Sequence, residues 1–306
     1  MTALVINQNI QLAKKMKSPI VALETAVLTH GLPFPENVNL SLEVENVVIS
    51  HGATPATIGL INGDTIIGLT EKQVRYLGDP NTKTRKISKR DYGIAIAQKL
   101  NGGTTVCGTM IAAEKVGIQV FATGGIGGVH RNTTFDVSAD LPQLGSTPMI
   151  VVCAGAKSIL DLPNTLEYLE TYGVPVIGFG TDEFPAFFSR HSGLQVDLGV
   201  DTPEEIAMIA KSHWNFGNQS GILVVVPPPV ETALDSSEVE NVIQQALAES
   251  EAQGIKGAAT TPFLLGRVKE LTGGSSLAAN LDLLKNNAGV AADIAVALSS
   301  IDATIF

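Results

Sequence analysis

The chain has 306 residues, enough for one large α/β domain or two smaller ones; 44% are hydrophobic and 16% charged, with a mean hydropathy of +0.23. That balance excludes disorder and calls for strands covered on both faces. A net charge of -10 opposes nucleic-acid polymers and anionic membranes, while local basic groups can still hold a small anion.

Cys107 and Cys153 lie within apolar runs, without CxxC spacing or a histidine at metal-ligand spacing, and read as buried reduced thiols. No apolar run approaches the ~18 residues of a membrane span. The N-terminal MTALVINQNIQLAKKMKS lacks the basic-then-apolar order of a signal peptide. A cytoplasmic location is therefore expected, and the N-x-S/T matches at Asn39, Asn132 and Asn218 are chance hits.

In chain order, a helix over 9–17 precedes a short apolar strand, PIVALE, that ends in Glu24. The segment THGLPFPEN, with Gly31, Pro33 and Pro35, reads as a loop into a helix over 37–50 striped by Leu40, Val44, Val47 and Val48. TPATIGLI and TIIGL flank Asn62-Gly63, a hairpin signal. Helical EKQVRYLG then leads to the basic residues Lys83, Arg85, Lys86, Lys89 and Arg90, either a solvated loop or a phosphate clamp. A helix over 92–100 and a strand over 104–109 follow.

The segment QVFATGGIGGVHR reads as a strand and a doubled Gly-Gly turn that lets backbone N–H groups approach an anion. It is not a dinucleotide fingerprint, because no G-x-G-x-x-G opens a helix. His130 stands next to last in this segment, before Arg131. Asp136 and Asp140, with Ser138 between them, suit a hard divalent cation, a sugar's hydroxyls or an ordinary acidic turn.

MIVVCAGAKSILD, over 149–161, is a buried strand, a small-residue turn and then Lys157. Ligands of open α/β sheets bind at the carboxyl ends of strands. A lysine there, among Ala, Gly, Ile159 and Leu160, either caps the strand end or sheds solvation and serves as an amine nucleophile. Helices over 163–172 and 202–214 and strands over 175–181 and 222–226 follow. The aromatic FPAFF over 184–188 reads as packing for a lid or a subunit contact. Helices over 237–253, 262–271 and 277–298 complete a single domain, the last interrupted by Asn286 and Asn287. Those amides bond another helix or a ligand.

Glu24, Lys86, His130, the DVSAD acids and Lys157 together point to an anionic sugar and acid/nucleophile chemistry. They leave an aldolase, a pyridoxal-phosphate enzyme and a glycosidase open. The pyridoxal reading is weakest, since no partner for a pyridine ring is evident.

The blocks VALETAVLTHGLPFP (21–35), TRKISKRD (84–91), ATGGIGGVHR (122–131), TFDVSADL (134–141), VVCAGAKSILDLPNTLEYLETYGVPVIG (151–178), PAFF (185–188) and TPFLLGRVKELTGG (261–274) closely resemble the pseudouridine-5'-phosphate glycosidase family, also labelled indigoidine synthase A-like. The resemblance implies a three-layer α/β/α sandwich on a mixed, mostly parallel sheet, assembled as a homotrimer. It implies cleavage of the C–C glycosidic bond of pseudouridine 5'-phosphate to uracil and ribose 5-phosphate with a divalent metal, typically manganese (Mn2+). By motif position Glu24 is then the proton donor, Lys157 the nucleophile and Asp136 the metal ligand. Lys86, Val106, Ser138, Ala139 and Asp140 bind substrate, with His130 and one of Asn286 and Asn287 near it. A non-catalytic phosphosugar sensor using the same pocket is the alternative. Lys89 stands where the family block carries an arginine, and Asn132-Thr133-Thr134 makes a short link to Asp136.

Overall fold

Apolar runs alternate with amphipathic stretches along the chain, and the computed structural model, which describes residues 4–131, 135–255 and 260–304, converts them into alternating strands and helices. The short link at 132–134 lies outside the described residues. Strand β1 (Leu4–Ile6) is followed by α1 (Gln8–Lys15), which Asn7 caps by accepting from the Asn9 N–H. Beyond β2 (Ile20–Leu23), part of the expected loop winds into a π-helical turn, Val27–Gly31. Asn37, at the start of α2 (Glu36–Ser50), donates to the carbonyls of Leu28 and Gly78 and holds that turn down.

The hairpin of β3 (Thr54–Ile61) and β4 (Asp64–Ile67) forms as expected, with Asn62 and Gly63 at φ of 53° and 83°. Both values are left-handed, as a type I′ turn requires. Next come α3 (Glu71–Gly78), opened by a Thr70–Gln73 capping box, β5 (Thr84–Ile87), a 3-10 turn and α4 (Tyr92–Ala97). The strand expected over 104–109 is instead the junction of β6 (Asn101–Thr104) and α5 (Val106–Glu114). An apolar run buried on all sides carries no period to separate strand from helix, and the Thr105 side chain decides by capping the Gly108 N–H. The glycines of β6 are needed for close approach, because a Cβ on Gly103 would lie 2.1 Å from Thr29 Oγ1 and 2.5 Å from the Thr25 carbonyl oxygen.

The remaining elements are β7 (Val120–Ala122), β8 (Val129–His130), α6 (Asp140–Leu144), β9 (Ile150–Cys153), β10 (Leu160–Asp161), α7 (Leu162–Thr171), β11 (Val176–Phe179), β12 (Leu198–Val200), α8 (Pro203–Asn215), β13 (Ile222–Val225), α9 (Ser236–Ala252), α10 (Thr260–Leu271) and α11 (Ser275–Thr304). Among the described residues, the main sheet has eleven strands, ordered β1-β4-β3-β2-β7-β9-β13-β11-β12, with β6 bridging β3 and β5. Every pairing from β3 through β2 to β12 is parallel, whereas β4 and β6 run antiparallel to β3. Helix α11 packs across β2, β7 and β9 beside α2 and α8, while α5 packs against β2, β3, β4 and β6 beside α6. This is the expected layered α/β architecture on a mixed, mostly parallel sheet.

Central β9 and β13 are buried at every position, as strands covered on both faces must be. Phe184, Phe187 and Phe188 are buried in the same core, so the rings of the FPAFF run pack within the chain. Parallel register sets the carboxyl ends of β2, β7 and β9 side by side, pairing Leu23 with Ala122 and Ala122 with Val152. The residues that follow those ends form one ledge.

Candidate active site

Glu24 leaves β2 directly beside Thr123, the residue after β7, whose hydroxyl donates to the Glu24 carboxyl. The backbone knits the ledge further: Thr123 N–H donates to Val152 at 2.9 Å and Ala154 N–H to Gly124 at 2.9 Å. Lys157 then crosses back, its Nζ donating to the Gly125 carbonyl at 3.0 Å. Gly125 must be small here, since a Cβ would lie 2.6 Å from the Phe187 ring. Glu24, the glycine turn and Lys157 are thus consecutive features of one surface, set by the ends of three adjacent strands.

Electrostatics join two further groups to this set. Burial raises the Glu24 carboxyl above its ordinary range, against the pull of Lys157, the Thr123 hydrogen bond and Lys86, while Asp140 adds to the rise. Burial and the Lys157 charge lower Lys86, partly offset by Glu24 and Asp140. Two carboxyls and two amines therefore feel one another in a space where a protonated acid is favoured. His30, on the π-helical turn, faces the same region; burial and the Lys86 charge lower its imidazole, against a backbone hydrogen bond at Thr84. The sequence pattern predicts a loop at His30, yet π turns recur at functional sites.

The basic cluster divides. Lys86 turns to the site, whereas Arg85, on the opposite side of β5, pairs with the buried Asp91 at 2.7 Å. Lys83, Lys89 and Arg90 are exposed around it. Within DVSAD the two acids also separate. Asp140 is buried, and its oxygens accept from the N–H of Cys107 (2.9 Å) and of Gly127 (2.8 Å), which ties the first turn of α5 to the glycine turn. Both oxygens serve as a bracket inside the protein, so its influence on a ligand runs through the backbone it holds and its charge. Ser138 donates its N–H to the Gly128 carbonyl and accepts from the Asp140 N–H, and Ala139 is exposed just before α6. Val106, buried, opens α5 beside that bracket.

His130 pairs with Leu160 in the small β8–β10 sheet, and its N–H donates to the Asp136 carbonyl at 2.9 Å. Among the described residues no three His, Cys, Asp or Glu side chains gather as a metal cluster. A small hard cation that keeps most of its waters needs only one or two carboxylates and a substrate phosphate, and half-buried Asp136 suits such a site. Asn287, fully buried on α11, donates to the carbonyls of Thr123 (2.9 Å) and Gly124 (3.4 Å), and Asn286 to that of Pro227 (3.5 Å). These amides meet the loops past the strand ends and not a second helix. Among the described residues the Asn287 Oδ1 has no hydrogen-bond partner. A surface hollow of about 440 Å³ lined by His51, Glu204, Asp293 and Val296 contains none of the strand-end groups.

Comparison with known proteins places this arrangement. The family model described as indigoidine synthase A like protein matches residues 9–297. The pseudouridine-5'-phosphate glycosidase of Herpetosiphon aurantiacus is 53% identical over 300 residues, covering 97% of this chain and 99% of that protein. The protein of the same name from Caldanaerobacter subterraneus subsp. tengcongensis is 50% identical over 304 residues, again covering 97% and 99%. Among solved structures, the prealnumycin C-glycosynthase AlnA in complex with ribulose 5-phosphate superposes with a TM-score of 0.92 at 38% identity, covering 99% of each chain. An indigoidine synthase A-like protein of Thermotoga maritima gives 0.88 at 35% identity, covering 97% of each.

Proposed function

The chain belongs to the indigoidine synthase A-like family, and on that premise we propose that it is a C-glycosidase that cleaves pseudouridine 5'-phosphate to uracil and ribose 5-phosphate. The observation that carries the reading is the pairing on one ledge of an acid favoured in its protonated form, Glu24, with the primary amine of Lys157, beside Lys86.

A C–C bond to uracil has no leaving oxygen to protonate, so the two-carboxylate scheme of O-glycosidases does not transfer. In the proposed reaction the Lys157 amine attacks C1' of the ribose. The bond from C1' to the ring oxygen breaks, and Glu24 gives that oxygen its proton. After attack the nitrogen gives up a proton to regain its lone pair, which then forms the C=N bond as the C1'–C5 bond to uracil breaks and that proton passes to C5. Water adds to the imine and frees ribose 5-phosphate from the lysine. Lys86 and N–H groups near Val106 hold the phosphate, and that binding orients C1' toward the amine. Asp136 would hold a divalent cation, manganese in this reading, which supplies positive charge near the phosphosugar. In this reading His130 and one of the amides of Asn286 and Asn287 would meet the substrate near the base. We further propose a cytoplasmic homotrimer.

Uracil release from pseudouridine 5'-phosphate with manganese present, and borohydride trapping of ribose 5-phosphate on the protein, test the reading together. The native chain should release uracil and gain a reducible adduct, and Lys157→Ala should lose both. Uracil release by Lys157→Ala at the native rate would remove Lys157 from the chemistry. Binding of the phosphosugar without any adduct or uracil would make the protein a sensor instead.

A further inference from the structure

Arg131 follows His130 directly, and all three guanidinium nitrogens are engaged. Nε donates to the Leu160 carbonyl at 2.9 Å and Nη2 to the Ser158 carbonyl at 3.0 Å. Nη1 and Nη2 also reach the two carboxylate oxygens of Glu240 on α9, at 2.6 Å and 3.0 Å. This is the fork-on-fork pairing that arginine makes with carboxylates. Gln244, one turn along α9, steadies the same carboxylate at 2.6 Å. The arginine end of the pair is sheltered, its side chain 17% exposed.

The two carbonyls belong to the residues one and three positions after Lys157. Before that lysine, its segment is fixed to the glycine turn, Lys157 N–H donating to Ile126 at 3.1 Å and Ile126 N–H to Gly155 at 3.1 Å. After it, the Leu160 N–H closes a turn onto the Lys157 carbonyl at 2.9 Å. Among the described residues the buried Ser158 hydroxyl has no hydrogen-bond partner and adds no tether there. Besides the β10 pairing to His130, the far side of the turn is gripped by Arg131. A long lysine side chain is placed only as well as the backbone that carries it.

We propose that Arg131, braced by Glu240, is a positioning residue for Lys157, clamping the turn over Ser158 and Leu160 so that the amine faces C1' of the sugar. The proposal rests on the reading of Lys157 as the nucleophile. Arg131 acts through the backbone and need not touch the substrate.

The test compares the native chain with Arg131→Met, Arg131→Lys and Glu240→Gln. It reads the rate of borohydride-reducible adduct formation with ribose 5-phosphate, kcat and KM for pseudouridine 5'-phosphate, and Tm. Arg131→Met should slow adduct formation and kcat about 10- to 100-fold while KM stays within about threefold. Arg131→Lys should recover only part of the loss, since a point charge cannot bridge two carbonyls and a carboxylate. Glu240→Gln, which keeps the carbonyl bonds, should lose about 2- to 10-fold and carries the test should Arg131→Met fail to fold. If the native chain forms the adduct and the folded variants form it at the native rate, the clamp is wrong and the glycosidase reading stands. If the native chain forms none, the reading of Lys157 falls and the clamp falls with it.

Discussion

Replacing Asp140 with asparagine exchanges one carboxylate oxygen for an NH2 group at a side chain that is 6% exposed. Each oxygen of the native group accepts a backbone N–H, from Cys107 at 2.9 Å and from Gly127 at 2.8 Å. Whichever way the amide turns, one of those N–H groups faces another donor. A hydrogen bond to a charged group contributes about 1.5–3 kcal/mol, a neutral one about 0.5–1.5, and a buried donor left unsatisfied costs about 1–3. Weakening one bond and orphaning the other should therefore destabilise the protein by about 3 kcal/mol, read as a lower midpoint in equilibrium urea unfolding. The same substitution removes a charge that supports protonated Lys86, so KM for the phosphorylated substrate should rise as well. An unfolding free energy within about 1 kcal/mol of native would refute the bracket. Combined with a raised KM, it would mean that the carboxylate meets the substrate directly.

Glu24→Gln should lower uracil release by about 100- to 10,000-fold and yet gain stability relative to native as pH rises. The folded carboxyl is raised above its ordinary 4.5 by burial, so the stability that Glu24 contributes is complete below that pH and is lost as pH climbs through the raised value. Unfolding free energies of the two proteins from urea titrations between pH 4 and 8 should diverge in favour of the glutamine, by about 1.4 kcal/mol for each unit of elevation; parallel curves would contradict the assignment. Gly103→Ala should lower Tm sharply, by an overpacking cost of about 3 kcal/mol or more, since its Cβ meets the Thr25 carbonyl oxygen at 2.5 Å just after Glu24. A native Tm would show that β6 can move away from that turn.

How much of this was legible in the sequence depended on whether the signal was local. The apolar runs that became β9 and β13, the Asn62-Gly63 hairpin and the long helices each carry their own periodicity or turn chemistry, and they formed where expected. The junction at 104–109, the π-helical turn and strands as short as β8 and β10 carry none, and tertiary packing decides them. In the site, Glu24 and Lys157 were legible because a polar residue closing a buried strand stands out from the run before it. Lys86 was legible only as one of five basic residues; strand alternation, which gives Arg85 to Asp91, is what separates it from its neighbours. The residues that the sequence did not disclose hold the site through partners far along the chain. Thr123 bonds Glu24 across 99 positions and Arg131 bonds Glu240 across 109. Neither spacing has a local signature, and neither residue type is unusual where it stands. Sequence thus exposes the groups that carry charge to the ledge, while the groups that aim them become visible only once the strands are in register. For that reason a substitution at Arg131 or Asp140 is more informative about the fold's part in the proposed chemistry than one at Lys157, the proposed nucleophile.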